Sequence, residues 1–188
     1  MSQKEIDRKV AIILATDVVN YSKHMEKSEA ETVKNLRACE SILKKLIKQH
    51  EGRLFNTGGD SFFIEFSSAV EAVECAVTFQ KQIGERNKGD KVTVPLQFRI
   101  GVNMGDVIKE KSNLLGDGVN IAARLEALAQ TNGFTLSKNI YDLVKTKTSY
   151  SYNDLGVQKI KKNEFHAYDI LLEPSQTVSY THLRAHET

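Results

Sequence analysis

The stretch Arg53-Leu-Phe-Asn-Thr-Gly-Gly-Asp-Ser-Phe-Phe-Ile-Glu-Phe66 decides how the rest of the chain is read. Two strand-like runs, Arg53 to Thr57 and Ser61 to Phe66, flank Gly58-Gly59, a pair suited to a tight hairpin turn. Upstream, Val10 to Ala15 is a short apolar run fit for a buried central strand. Between them, Ser28 to Glu31 has the Ser-x-x-Glu form of a capping box. It opens a helix in which Val33, Leu36, Cys39, Ile42, Leu43, Leu46 and Ile47 recur close to the helical period, and Glu51-Gly52 ends it. Downstream, Ser68 to Glu71 is a second capping box, and the helix after it carries Val70, Val73, Ala76, Val77 and Ile83 inward. Leu96 to Val102 reads as the next strand, followed by Asp106 to Glu110. Asp117 is expected to cap a helix running to about Ala129. Phe134 to Ser137 and Phe165 to Leu172 read as late strands.

The order β-α-β-β-α-β predicts an α+β fold with a ferredoxin-like, palm-like core, a mostly antiparallel sheet flanked by helices. Right-handed crossovers put the third strand between the first two, antiparallel to both. The end of strand one then lies beside the hairpin that opens strand three. Asp17 ends strand one and Asp60 sits on that hairpin, so the topology brings two carboxylates together. Two such groups make a hard, all-oxygen site suited to magnesium or manganese, whereas zinc favours nitrogen and sulfur. Taken singly, either aspartate reads equally as a cap or turn residue.

Composition narrows the function classes. The chain has 188 residues, 40% hydrophobic and 27% charged, with a net charge of +2. That is ordinary for a globular domain and gives no sign of a nucleic-acid binder. Val10 to Ala15 is far too short to span a membrane, and Met1 to Val10 lacks the apolar core of a secretory signal. A cytoplasmic protein is expected. Cys39 and Cys75 form no C-x-x-C pair and read as reduced thiols in a core; the five histidines form no metal motif. The expected layout is an N-terminal tail over 1–8, one domain over 9–172, and an unstructured tail over 173–188. The last segment matches nothing before it and reads as a foreign extension.

Farther along, Asn120 and Arg124 are four residues apart and share one helix face. An amide there can orient a sugar oxygen, and a guanidinium can clamp phosphate oxygens. The same spacing also fits a plain exposed polar stripe. Lys161 and Lys162 precede the last strand and could neutralise phosphate charge; a lysine pair is equally at home on a solvated surface.

Four strings in this order resemble the class III adenylate and guanylate cyclase catalytic domain: Ala15-Thr-Asp-Val-Val-Asn-Tyr-Ser22, Asn56-Thr-Gly-Gly-Asp-Ser-Phe-Phe-Ile-Glu-Phe66, Arg99-Ile-Gly-Val-Asn-Met-Gly-Asp106 and Leu115-Gly-Asp-Gly-Val-Asn-Ile-Ala-Ala-Arg-Leu-Glu126. The resemblance runs from about Val10 to Leu172. It implies that Asp17 and Asp60, with the Val18 carbonyl, hold two Mg2+ or Mn2+ ions per site. It implies that Val18, Val19, Asn20, Tyr21 and Ser22 wrap a triphosphate with backbone amides. Asn120 would orient the ribose, Arg124 would stabilise the transition state, and Lys161 would bind phosphate beside a loop that looks shortened. The implied reaction is attack of the ribose 3′-oxygen on the α-phosphate of ATP, giving cyclic AMP and pyrophosphate, in a homodimer whose active sites are shared between protomers.

The chain departs from the family at the base-reading pair. Adenylate cyclases often carry lysine and aspartate there and guanylate cyclases glutamate and cysteine, but here the positions hold Asn56 and Asn113. Neutral amides both donate and accept. ATP is the expected substrate, because the guanine-type glutamate is absent. The alternatives are a guanylate cyclase and a non-catalytic cyclase-like module that binds nucleotide or a partner domain. Gly58-Gly-Asp-Ser-Phe62 also resembles a diguanylate cyclase motif, but Ser61 stands where that motif has an acid.

Overall fold

The hairpin at the centre of the reading is built from β2 (Arg53–Gly58) and β3 (Ser61–Phe66) in the computed structural model, which describes residues 5–172. Gly58 pairs with Ser61, so the two turn residues are Gly59 and Asp60, one position later than read. Gly59 has φ +63°, which suits the first turn position of a tight hairpin. The 173–188 tail lies outside the described residues.

The remaining elements are β1 (Asp7–Val18), α1 (Tyr21–Lys27), α2 (Glu29–Gln49), α3 (Ala69–Asn87), β4 (Phe98–Glu110), β5 (Asn113–Leu115), α4 (Asp117–Leu128), β6 (Phe134–Ser137), α5 (Lys138–Val144), β7 (Ser151–Ile160) and β8 (Asn163–Leu171). They form one sheet in the order β2-β3-β1-β4-β6-β8-β7, with β5 paired to β4. Among the described residues only β4 and β6 pair in parallel. β3 lies between β1 and β2 and is antiparallel to both, as the topology required. The fold is therefore α+β with a mostly antiparallel sheet.

The two faces of the sheet are covered unequally. On one, Leu14, Ile64, Phe98, Ile100 and Leu136 pack against Leu36, Leu43, Val73, Phe79 and Ile140 of α2, α3 and α5. On the other, Ala11, Ile13, Ala15, Val107 and Leu114 meet Ala122 of α4, with Phe55, Phe63 and Val119 only partly covered. β1 is buried on both faces from Ala11 to Thr16, which is why it reads as a continuous apolar run.

Several local expectations change. β1 begins at Asp7, inside the stretch read as a tail, because Asp7 and Arg8 pair with Lys109 and Ile108 of the long β4. The two runs 96–102 and 106–110 form that single strand. The polar interval between them serves packing, since buried Asn103 donates from Nδ2 to the Gly118 carbonyl at 3.0 Å. Ser68 caps α3 by accepting from the Glu71 amide at 3.3 Å, but Ser28 makes no side-chain cap on α2. Glu31 instead accepts from the Thr93 hydroxyl at 2.5 Å. The N-cap of α4 is Gly116 with φ +106°, and Asp117 is the first helical residue. The short α1, β5 and α5 were too brief to show a period. β7 is an edge strand with no regular buried face, so no alternation marked it. Cys39 and Cys75 are free and buried, and burial pushes the Cys75 thiol up to about 12. Among the described residues no helix is long and apolar enough to cross a membrane.

α4 rests directly on the β4 backbone. A methyl group added at Gly101 would stand 2.2 Å from the Glu126 nitrogen and 2.4 Å from the Ala122 carbonyl oxygen. Those are backbone atoms and cannot swing aside. Gly101→Ala is expected to destabilise the fold by about 3 kcal/mol or more. Exposed helical Gly84 has open space around it, so Gly84→Ala should stabilise by about 0.5–1 kcal/mol. Urea unfolding of both variants checks the pair of signs; equal effects would contradict the packing.

Candidate active site

The antiparallel pairing of β1 with β3 sets Thr16 opposite Phe62, which brings the end of β1 to the Gly59-Asp60 turn. The Val18 amide donates to Asp60 Oδ2 at 3.0 Å, locking the second aspartate onto the strand that carries the first. The two carboxylates that the topology placed together are thus neighbours.

The other neighbour of β1 is β4, and there Asp17 pairs in register with Arg99. Arg99 Nη2 lies 3.4 and 3.3 Å from the two Asp17 carboxylate oxygens. Its Nε lies 3.3 Å from Glu126 Oε1, which α4 brings down onto the sheet. Neither Arg99 Nε nor that Glu126 oxygen has a hydrogen bond of good geometry, so this contact is Coulombic. Arg99 and Glu126 carried no role in the sequence reading. The signal for Arg99 was its cross-strand position opposite Asp17, visible only once the β1–β4 register is known.

Asp17 and Glu126 therefore share one guanidinium, and Asp60 feels its charge. Burial pushes the Glu126 carboxyl up to about 9, with the Asp17 hydrogen bond and the charges of Asp17 and Asp60 adding to it; Arg99 pulls the other way and is outweighed. Burial also raises Asp60, against the Val18 amide, and the Asp17 charge adds to the rise. Such a site gains from an added cation. No group of three or more His, Cys, Asp or Glu side chains with metal-binding geometry occurs among the described residues. Two carboxylates and a backbone carbonyl suit Mg2+ or Mn2+, which keep water or take substrate oxygens for the remaining positions. The donor set fits that class of ion.

The segment after β1 departs from an open loop. The Val18 amide is taken by Asp60, and the Val19 amide donates to the Gln97 carbonyl at 2.8 Å. Neither is free to wrap an anion. Asn20 adopts φ +57°, and Tyr21 and Ser22 open α1, where first-turn amides have no intrahelical partner.

Asn120 and Arg124 are not brought to Asp17 and Asp60. Along a helix, two and six residues rotate by roughly 200° and 240°. Glu126 faces the sheet, so Arg124 and Asn120 face away from it. Asn120 is exposed, and Arg124 Nη1 is buried with no partner among the described residues. Asn56 is exposed on β2 opposite Phe63. Asn113 starts β5, and its Oδ1 accepts from the Leu114 amide at 2.9 Å. β2 and β5 are tied together by Arg53, which donates to the Ser112 carbonyl at 2.6 Å. Lys161 lies in the two-residue turn between β7 and β8, with φ +52°, at the sheet edge opposite β2. A cavity of about 460 Å³ lined by Asn103, Asp106, Asp117, Lys138 and His166 contains none of Asp17, Asp60, Asn120 or Arg124.

The family model described as adenylate and guanylate cyclase catalytic domain matches residues 2–171. A Rhizobium meliloti (strain 1021) protein provisionally named adenylate cyclase 3 is 41% identical over 165 residues, 87% of this chain. The chain spans 28% of that relative's length. The crystal structure of an adenylate/guanylate cyclase/hydrolase from Silicibacter pomeroyi superimposes with a TM-score of 0.82 at 28% identity, covering 90% of this chain and all of that one. The guanylate cyclase domain from Catenaria anguillulae in complex with GTP shares the fold, with a TM-score of 0.74 at 20% identity over 88% of this chain and 98% of that one.

The raised Glu126 carboxyl predicts a pH dependence. Folded, metal-free protein keeps its proton to about pH 9, whereas the unfolded chain loses it near 4.5. The folded state binds the extra proton between those values, so this contribution is full below 4.5 and is lost as pH rises through 9. The thermal midpoint of the metal-free protein should fall across that window, and Glu126→Gln should flatten the slope. Parallel slopes in the two proteins would refute the assignment.

Proposed function

The chain belongs to the adenylate and guanylate cyclase catalytic-domain family, and from that premise we propose that it converts ATP to 3′,5′-cyclic AMP and pyrophosphate. The observation that carries this reading is the Val18–Asp60 hydrogen bond, which fixes two aspartates at one strand end. Asp17 and Asp60, with the Val18 carbonyl, hold two Mg2+ or Mn2+ ions. When bound, such ions activate an attacking oxygen and stabilise a leaving phosphate. The orphan amides of Tyr21 and Ser22, with Asn20 before them, face the triphosphate. Asn120 orients the ribose. Arg124 stabilises charge at the α-phosphate as the 3′-oxygen bonds to phosphorus, the bond to the pyrophosphate oxygen breaks and the 3′-hydroxyl proton passes to solvent. Lys161 supplies a further cation to the phosphates.

The placement of Asn120 and Arg124 on the side of α4 away from Glu126 supports a homodimer with shared sites. One protomer contributes Asp17 and Asp60, and its partner contributes Asn120, Arg124 and the base-reading Asn56 and Asn113. The thinly covered face with Phe55, Phe63 and Val119 is the surface on which a second copy would sit. Asn56 and Asn113 read the base through neutral hydrogen bonds, so the preference for ATP over GTP should be modest. The name of the Rhizobium meliloti relative favours ATP. The same neutral pair keeps GTP as the second reading.

Two measurements test this. Purified protein with Mn2+ and equal ATP and GTP should yield chiefly cyclic AMP by mass spectrometry. Asp17→Ala and Asp60→Ala should each lose more than about 100-fold in rate while keeping wild-type circular dichroism. Near-normal turnover in either variant removes the two-aspartate assignment, and chiefly cyclic GMP reverses the base choice. Separately, co-expressed Asp60→Ala and Arg124→Ala chains should recover roughly a quarter of wild-type activity through random pairing. In a mixed dimer both defects fall in one site and leave the other whole. Isolated heterodimers no more active than either parent would put the whole site within one chain.

A further inference from the structure

Arg53 joins two parts of the chain that lie 59 residues apart. Its Nη1 donates to the Ser112 carbonyl at 2.6 Å, in the turn between β4 and β5. Its Nε and Nη2 both donate to Glu65 Oε1 on β3, at 3.2 and 3.0 Å. Lys9 Nζ, on β1, holds the other Glu65 oxygen at 2.6 Å. Burial alone would raise the Glu65 carboxyl, but its bonds to Lys9 and Arg53 hold it below the usual value, so the anchor stays ionised. One planar guanidinium thus grips the sheet with one edge and the β4–β5 turn with the other, a division that a lysine ammonium cannot make. The Arg53 side chain is 44% exposed, and exposed ion pairs add little stability. The consequence of this network is geometric.

Both base-reading candidates hang on that bridge. A bulge between Leu54 and Asn56 lets Arg53 and Asn56 pair with Glu65 and Phe63, which alternate along β3. Arg53 and Asn56 therefore stand on one face of the sheet, although an unbroken strand would put them on opposite faces. Asn113 follows Ser112 directly. Its Oδ1 accepts from the Leu114 amide at 2.9 Å, so its side chain moves with the backbone of the turn.

We propose that Arg53 is a positioning residue for base selection: it holds the β4–β5 turn against β2 and so fixes the separation of Asn56 and Asn113. This rests on the reading of those two amides as the base-reading pair, which one protomer supplies together. Hydrogen bonds weaken steeply when misaligned. A turn free to drift would therefore lose discrimination between bases sooner than its grip on the triphosphate that all substrates share. The role belongs to the fork of the guanidinium and not merely to its charge.

That distinction sets the test. Binding of the α,β-methylene analogues of ATP and GTP to the purified protein, with Mn2+, is measured by calorimetry. Arg53→Lys keeps the charge but not the fork, and Arg53→Met keeps the bulk but no donor. Both should lower the ratio of ATP-analogue to GTP-analogue affinity by about 3- to 5-fold. A uniform weakening of both analogues cancels in that ratio, so a merely structural role would not move it. On an Asn113→Ala background, Arg53→Met should change the ratio no further, because the residue it acts through is gone. A wild-type ratio in Arg53→Lys, with a shift only in Arg53→Met, would reduce Arg53 to a charge effect and overturn the proposal. So would an equal shift from Arg53→Met with and without Asn113, or a wild-type ratio in both Arg53 variants when Asn113→Ala shifts it. If Asn56→Ala and Asn113→Ala both leave the ratio unchanged, the base-reading assignment itself falls, and this inference with it.

Discussion

The close contact between α4 and β4 is the constraint on which the site depends. At Gly101 the helix backbone occupies the space a side chain would need, and at Gly118 a Cβ would stand 2.7 Å from the Asp106 carbonyl oxygen. Buried Asn103 ties the two elements by donating to Gly118. A helix seated this low brings Glu126 onto Arg99 and Asp17. The same seating fixes the helix rotation, and so turns Asn120 and Arg124 away from Glu126, with Asn120 exposed and Arg124 partly buried. One packing contact thereby decides which polar residues of α4 serve their own chain's carboxylates and which are offered elsewhere.

The unequal covering of the sheet follows the same division. Three helices bury one face in a large apolar core, and the chain's stability resides chiefly there. The other face carries α4, small residues of β1 and half-covered Phe55 and Phe63. Small side chains such as Ala11, Ala15 and Ala122 let α4 come close, at the cost of a modest core on that side. Asp17, between buried Thr16 and Val18, and Asp60, in the turn, are each partly exposed, and Phe55 and Phe63 leave an aromatic rim only partly covered.

Charge at the site is arranged in deficit. Three carboxylates converge and one guanidinium answers them, so the metal-free protein keeps a proton on Glu126 and raises Asp60. Arg99 offsets part of the repulsion at both groups.

The sequence by itself determined that β3 lies between β1 and β2, the hairpin and the meeting of Asp17 with Asp60, because hydrophobic period, glycine placement and crossover handedness are local or topological properties. It also determined that Asn120 and Arg124 share a helix face, since their spacing alone sets that. It did not show α1, β5, α5 or β7, which are too short or too exposed to impose a pattern. The roles of Arg99 and Glu126 were likewise out of reach. They arise from strand register, which sets Arg99 opposite Asp17, and from the depth at which α4 meets β4. Only the tertiary structure decided those two, because strand register and the depth of a helix on a sheet are fixed by contacts between residues far apart in the chain, and no single segment carries both sides of such a contact.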